Sequence, residues 1–176
     1  MAAPAVFVQA QPVKPGAEGP LAALLAPGPG KHICFARRYD TAHMRAHPAQ
    51  RVRSMGLRLA YHAHAPDAFY PQGQRNYYFQ LRATLRDGRA LATGGECAPA
   101  GEHGEVIRCG VDDDGSAVLI RPATGGSLTV DLQATGRIRM SAGESDFDLM
   151  PGADDGTFLL AARPAGECPA YEHWQD

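Results

Sequence analysis

The chain has 176 residues and a mass of 18.7 kDa, the size of one domain with its own hydrophobic core. Hydrophobic residues make up 44% and charged residues 20%, and no apolar run approaches the roughly 20 residues of a membrane-spanning helix. The net charge of −2 and the pI of about 6.4 argue against general nucleic-acid binding, which needs a strongly basic surface. We therefore expect a globular protein that does not bind nucleic acid and has no transmembrane segment.

The charges are distributed unevenly along the chain. Residues 1–110 hold 13 Lys and Arg against 7 Asp and Glu, whereas residues 111–176 hold 4 against 12. If the two halves interleave in one domain, these charges pair across strands and form a mixed, solvated surface. The alternative is a basic docking face.

The N-terminal segment, residues 1–31, holds 6 of the 14 prolines and many glycines and alanines. This composition predicts an extended, weakly ordered arm, or one that orders when it wraps a partner subunit. Within it, Leu21–Leu25 has the composition of one helical turn. Met1–Ala10 lacks the basic region of a signal peptide, so we expect either a mature exported form with a start methionine or a cytosolic protein. Residues 32–176 are predicted to form a single β domain.

Beyond the arm, short alternating segments predict strands. The first is expected at Ile33 and Phe35, followed by a short helix over Thr41–His47 that ends at Pro48. The clearest alternation covers residues 77–86, before an Asp87-Gly88 hairpin signal. Further strands are expected near residues 57–62, 91, 107–111, 118–120, 128–133, 138–140 and 158–160. Eight or nine short strands without a long helix predict an all-β antiparallel sandwich or flattened barrel.

The four cysteines contain no CxxC pair, which argues against a zinc ribbon or a thioredoxin-type site. Three disulfide pairings are possible for four cysteines. We favour Cys97–Cys109, which closes a short glycine-rich loop, and Cys34–Cys168, which ties the start of the β domain to its end. Such bridges indicate an oxidising compartment, and buried free thiols in a cytosolic protein are the alternative.

The sharpest candidate for chemistry is His62-Ala-His64. Residues i and i+2 of a strand point the same way, so both imidazoles can reach one divalent metal ion, as in cupin-type barrels. The glycine-framed cupin motif with its glutamate is missing here, and two surface histidines at a strand end are the simpler interpretation. Further candidate ligands are Asp67, Tyr70, His43, His47 and His103.

Two other patterns resemble known metal sites but lack an essential part. His43 and His47 have the spacing of a zinc-protease helix, but Met44 stands where the general-base glutamate is needed. The acidic stretches Asp112–Gly115 and Asp154–Gly156 lack the alternating ligands of calcium loops. We interpret both stretches as hairpin turns.

An aromatic segment with nearby arginines is the best candidate for a partner-binding surface. Tyr70, Arg75, Tyr78 and Arg82 are its predicted contacts, because aromatic rings and guanidinium groups dominate binding hot spots. The alternative is that the aromatic rings form core and cross-strand pairs. No nucleophile motif and no phosphate-binding glycine loop accompany them.

Several of these residues together resemble a group of small exported proteobacterial proteins. The resemblance covers roughly residues 34–169 and departs from the group at Asp113-Asp114-Gly115-Ser116, where the group has more glycines and an extra cysteine. It implies an exported, disulfide-bearing β protein and no reaction. The residues that carry it are Cys34, Tyr39-Asp40, His43, His47-Pro48, Gln50, Val52, Cys97, Cys109-Gly110-Val111-Asp112, Gly115, Asp155, Phe158 and Cys168-Pro169.

These observations lead to three functional hypotheses. The first is a non-catalytic periplasmic or secreted accessory protein, such as a subunit of a larger envelope complex, that binds a protein partner through the arm, the 41–50 segment or the Tyr70–Arg82 surface. The second is a cupin-like metal-dependent enzyme that uses His62 and His64. The third is a carrier that holds a small apolar ligand inside the barrel.

Overall fold

The structure is a computed structural model that describes Val13, residues 16–111 and residues 115–168. These residues form two short α-helices, ten strands and two 3-10 turns, Thr124–Gly126 and Ala165–Glu167. The helices and strands are α1 (Pro20–Leu24), β1 (His32–Arg38), α2 (Thr41–Ala46), β2 (Val52–His64), β3 (Gln74–Leu85), β4 (Ala90–Ala100), β5 (Val106–Gly110), β6 (Ala117–Pro122), β7 (Leu128–Asp131), β8 (Ile138–Ala142), β9 (Ser145–Leu149) and β10 (Thr157–Arg163).

Eight strands form a closed antiparallel barrel. They follow one another in the order β1, β2, β3, β4, β5, β6, β7, β10, and β10 pairs again with β1. The hairpin β8–β9 lies outside the ring and joins β4 through the pair Ala92 and Ser141. The prediction of an antiparallel all-β fold of flattened-barrel type is therefore confirmed.

The barrel interior is filled by the apolar stripes that the alternation predicts. Successive strand residues point to opposite faces, so one stripe of each strand lies inside. Burying a side chain of this size stabilises the fold by about 1.5–3 kcal/mol. The inward residues include Phe35, Leu57, Leu59, Phe79, Leu81, Ile107, Ile120, Val130 and Phe158, none more than 5% exposed.

Both predicted disulfides are present. Cys97 and Cys109 are directly opposite on β4 and β5, with their Cα atoms 4.0 Å apart, and both are buried in the core. Cys34 on β1 is bonded to Cys168, with a Cα separation of 5.5 Å. In the chain-entropy model these bridges contribute about 3 and 5 kcal/mol, because the second closes a much longer loop.

The N-terminal segment is packed where it is described. Leu21 of α1 is fully buried and Leu25 is 5% exposed, so this turn contributes its apolar face to the core. The Tyr77 hydroxyl donates to the Leu25 carbonyl at 3.2 Å. Burial, reinforced by the Glu18 carboxylate, raises the pKa of Tyr77 to about 12, which keeps this donor protonated. The predicted helical turn is confirmed, and residues 1–12 and 14–15 of the predicted arm lie outside the described residues.

Of the two acidic hairpin turns that were predicted, the one between β5 and β6 is confirmed, because these strands pair antiparallel with Gly110 opposite Ala117. The chain between β9 and β10 is not a hairpin, because β9 is bonded to β8 whereas β10 lies between β1 and β7. Within this connection Asp155 is fully buried and accepts backbone N–H groups, a role that a turn interpretation does not include. In the other acidic turn only Gly115 is described, with a φ of +70°.

Candidate functional site

The pairing order gathers the positively charged half of the chain on one side of the barrel. Strands β1 to β4 are neighbours in the ring, so the two halves of the sequence do not alternate. Positions opposite the inward stripes face outward from these strands. A set of basic side chains, named here the basic face, lies on β1, β2 and β3 and at their margins: Lys31, His32, Arg38, Arg58, His62, Arg82 and Arg163.

A first cleft on this face has a volume of about 390 Å³. Its walls include Lys31, His32, Arg58 and His62, and Ala60 contributes a small apolar floor. None of the described residues that line it is an aspartate or a glutamate. The cleft is therefore suited to a negatively charged group.

A second groove lies on the same strands, toward the α2 end of the barrel. It has a volume of about 240 Å³ and is bordered by Arg38, Arg82 and Arg163. Ala36 and Gly56 lie between them, and again no described lining residue is acidic. Both openings therefore have small residues at the bottom and basic side chains at the edge.

The strand register connects the two openings. Arg58 is directly opposite Cys34 on β1, and Cys34 is opposite Arg163 on β10. Gly56, two residues before Arg58, is opposite Arg82 on β3. Because residues two apart on a strand share a face, these rows form one continuous outer surface.

The β3 and β4 part of this surface contains buried polar groups. Asn76 is 3% and Gln80 is 8% exposed. The Asn76 amide donates to the Glu96 carboxylate at 2.8 Å, so an acid borders this side of the surface. Among the described residues, Asn76 Oδ1 and Gln80 Oε1 accept no hydrogen bond.

His62 and His64 lie side by side on β2, as their spacing predicts, with ring centroids 4.4 Å apart. The His64 Nε2 atom lies 2.8 Å from the Tyr78 hydroxyl, so one ring nitrogen is already engaged. Burial lowers the pKa of His64, the neighbouring His62 lowers it further, and Asp67 opposes both effects. Desolvation thus favours a neutral imidazole at this position.

The other candidate metal ligands are placed apart from this pair. His43 and His47 lie at the opposite end of the barrel, in and after α2, and His103 lies in the β4–β5 connection. In the described part of the chain, no three His, Cys, Asp or Glu side chains are arranged to hold a metal ion. A metal site at His62 and His64 stays a prediction.

The four predicted partner contacts lie in three different places. Tyr78 and Arg82 lie on the outer face of β3, although Tyr78 is only 7% exposed and holds His64. Arg75 has the opposite parity and lies 3.6 Å from the buried Glu18 carboxylate. Tyr70 lies in the β2–β3 connection and is 42% exposed. Only Tyr78 and Arg82 belong to the surface that carries the two openings.

The β2–β3 connection presents exposed aromatic rings on an ordered loop. Phe69 is 88% exposed, and Asp67 Oδ1 accepts the backbone N–H groups of Phe69 and Tyr70 at 2.8 and 2.7 Å. Gly73 closes the loop with a φ of +73°, a conformation that favours glycine. Sequence reasoning did not single out Phe69, since a lone aromatic residue in a loop carries no periodic signal.

The 41–50 segment is held by a network that the sequence did not reveal. Asp40 caps α2 by accepting the His43 N–H at 2.7 Å. The Arg86 guanidinium donates to the carbonyl groups of Met44, His47 and Gln50 at 2.8–3.0 Å. These contacts satisfy carbonyls that the helix end leaves free. The segment that we expected to meet a partner therefore also closes this end of the barrel.

Comparison of the chain with protein-family models, with curated proteins and with solved structures found no match. Within the described residues, no helix is long and apolar enough to span a membrane. The functional conclusion therefore depends on the barrel itself and on the chemistry of its outer surface.

Proposed function

We propose that this chain is a non-catalytic binding protein of the periplasm or the extracellular space that meets a protein partner through its basic face. The observation that carries the proposal is the placement of seven basic side chains around two openings on neighbouring strands. Surface charge of one sign attracts and orients a partner of the opposite sign. The partner surface is accordingly acidic.

The filled interior supports a function on the outside of the barrel. Leu59, Phe79 and Ile120 are completely buried and occupy the space in which a carrier would hold its ligand. The interior packing therefore acts as a rigid support for the outer surface, on which side chains are held by strand backbone rather than by loops.

The two disulfides support the proposed location. Disulfides persist in oxidising compartments and are rare in the cytosol of most organisms. Here Cys34–Cys168 lies next to the basic face and ties the chain after β10 to β1. A bridge at this position keeps the border of the face fixed.

Site-specific photocrosslinking in the cells that make the protein tests the proposal. A photoreactive residue at Ala60 or Ala36, on the floors of the two openings, is expected to give one discrete crosslinked partner. The matched control is the exposed Glu144 in the β8–β9 turn, which is expected to give none. The same adduct from Glu144, or no adduct from either floor position, would contradict the proposed function.

A further inference from the structure

We infer that the basic face binds an acidic segment of a partner protein in extended conformation, lying along β2. This inference rests on the proposed function and adds the chemical class and the shape of the ligand. Three features of the face support it: the spacing of the basic side chains, the small floor between them and the burial of the aromatic ring beside them.

The basic side chains follow the strand direction and do not converge on one point. His62 is at one end, Arg58 lies four residues earlier on β2, and Arg38 is opposite Ser54, a further four residues away. Eight residues at roughly 3.3 Å each separate the ends by about 26 Å. A single small anion contacts only a part of this series, whereas an extended polymer contacts all of it.

The repeat of the face matches the repeat of an extended peptide. Arg58 lies in one cross-strand row of the face, and Arg82 lies in the next row, opposite Gly56. The two rows are two residues apart along β2, which is roughly 6.6 Å. Alternate side chains of an extended peptide have the same separation. Acidic residues at every second position would therefore meet successive cationic rows, and carboxylates accept paired hydrogen bonds from guanidinium groups.

The floor between the charges leaves room for a peptide backbone. Ala60 floors the first cleft, and Ala36 and Gly56 floor the second groove. A Cβ at Gly56 would meet only the Phe35 carbonyl oxygen, at 3.8 Å, so the glycine is not required by the barrel itself. Small side chains here keep the surface low between the arginines.

The aromatic rings argue against a nucleic acid or a stacked sugar polymer. Single strands bind through exposed rings on which bases stack. Tyr78, the ring on the outer face of β3, is 7% exposed and its hydroxyl is engaged by His64. This surface therefore binds a ligand through its basic side chains and not by stacking on an exposed ring.

Fluorescence anisotropy with the oxidised full-length protein tests the inference. The probe is a labelled peptide of alternating Glu and Ser, about ten residues long so that it spans the face. We expect Arg58→Gln with Arg82→Gln to weaken binding about tenfold or more, because two charge-assisted contacts are lost. The matched control replaces Arg121 and Arg137, which pair with Asp131 and Asp148 on other strands, and is expected to change the affinity less than about twofold.

A second variant tests the floor without changing any charge. Ala60→Leu is expected to weaken peptide binding about fivefold by raising the floor of the first cleft, while far-UV circular dichroism stays unchanged. Absence of peptide binding, or equal losses in the face variant and its control, would overturn the inference. So would binding of oligogalacturonate or anionic vesicles, but not of the peptide, through the same arginines. Crosslinking from Ala60 together with absence of peptide binding would reject this ligand and leave the proposed function standing.

Discussion

Asp155→Ala is the substitution that most directly tests how the α2 end of the barrel is held. Asp155 is fully buried, and its two carboxylate oxygens accept the backbone N–H groups of Arg51 at 2.6 Å and Val52 at 3.2 Å. A hydrogen bond to a charged group is worth about 1.5–3 kcal/mol, so losing both lowers the free energy of unfolding by about 3–6 kcal/mol. For a chain of this length, that corresponds to a fall in Tm of about 6–24 °C. Asp155→Asn keeps one acceptor oxygen and is expected to lose about half as much.

Urea unfolding followed by circular dichroism, with the disulfides intact, measures the loss. Asp154→Ala is the matched control, because the neighbouring carboxylate is partly exposed and lies 3.7 Å from His47 Nδ1. A pair of that kind contributes less than about 1 kcal/mol. The reasoning is refuted if Asp155→Ala costs less than about 1 kcal/mol, or no more than its neighbour.

Three further changes test other parts of the fold. Gly95→Ala would make a Cβ clash with the Gly110 carbonyl oxygen, so we expect a loss of about 1–3 kcal/mol in the same urea assay, and wild-type stability would contradict this. Replacing Cys97 and Cys109 by alanine is expected to cost about 3 kcal/mol, and an unchanged unfolding midpoint would contradict this. Arg139 on β8 donates to the Asp148 carboxylate and holds the pKa of this group below its usual value of 3.8. The contribution of this pair to the stability of the fold is therefore present at neutral pH and is lost as the pH falls through the pKa of the folded state. Asp148→Asn should therefore reduce the fall in Tm that occurs at acidic pH, and an unchanged fall in Tm would contradict this.

The strands could be predicted because alternation is a local property. Tyr77, Phe79 and Leu81 are inward on β3 as their spacing requires, and the Cys97–Cys109 disulfide connects two positions that are directly opposite each other on β4 and β5. β9 was not predicted, because its apolar stripe consists of only two residues, Phe147 and Leu149, which alternate with Asp146 and Asp148. Its pairing with β8 depends on tertiary contacts.

The basic face could be predicted only in part. Parity within β3 distinguishes Arg82, which faces outward, from Arg75, which shares the inward parity of Tyr77, so this difference was available in the sequence. The gathering of charges was not, because it depends on β1 to β4 being neighbours in the ring. The role of Asp155 was hidden for a similar reason, since its hydrogen-bond donors lie 103–104 positions away in the chain.

The most direct test of peptide binding along β2 is a titration of ¹⁵N-labelled protein with the alternating Glu–Ser peptide, followed by amide chemical shifts. We expect the shifts to concentrate on the outward residues of β1, β2 and β3, including Arg58, Ala60 and Arg82, and we expect a higher salt concentration to reduce them. Shifts that spread evenly over the barrel, or that concentrate at α2 or on β8–β9, would contradict it.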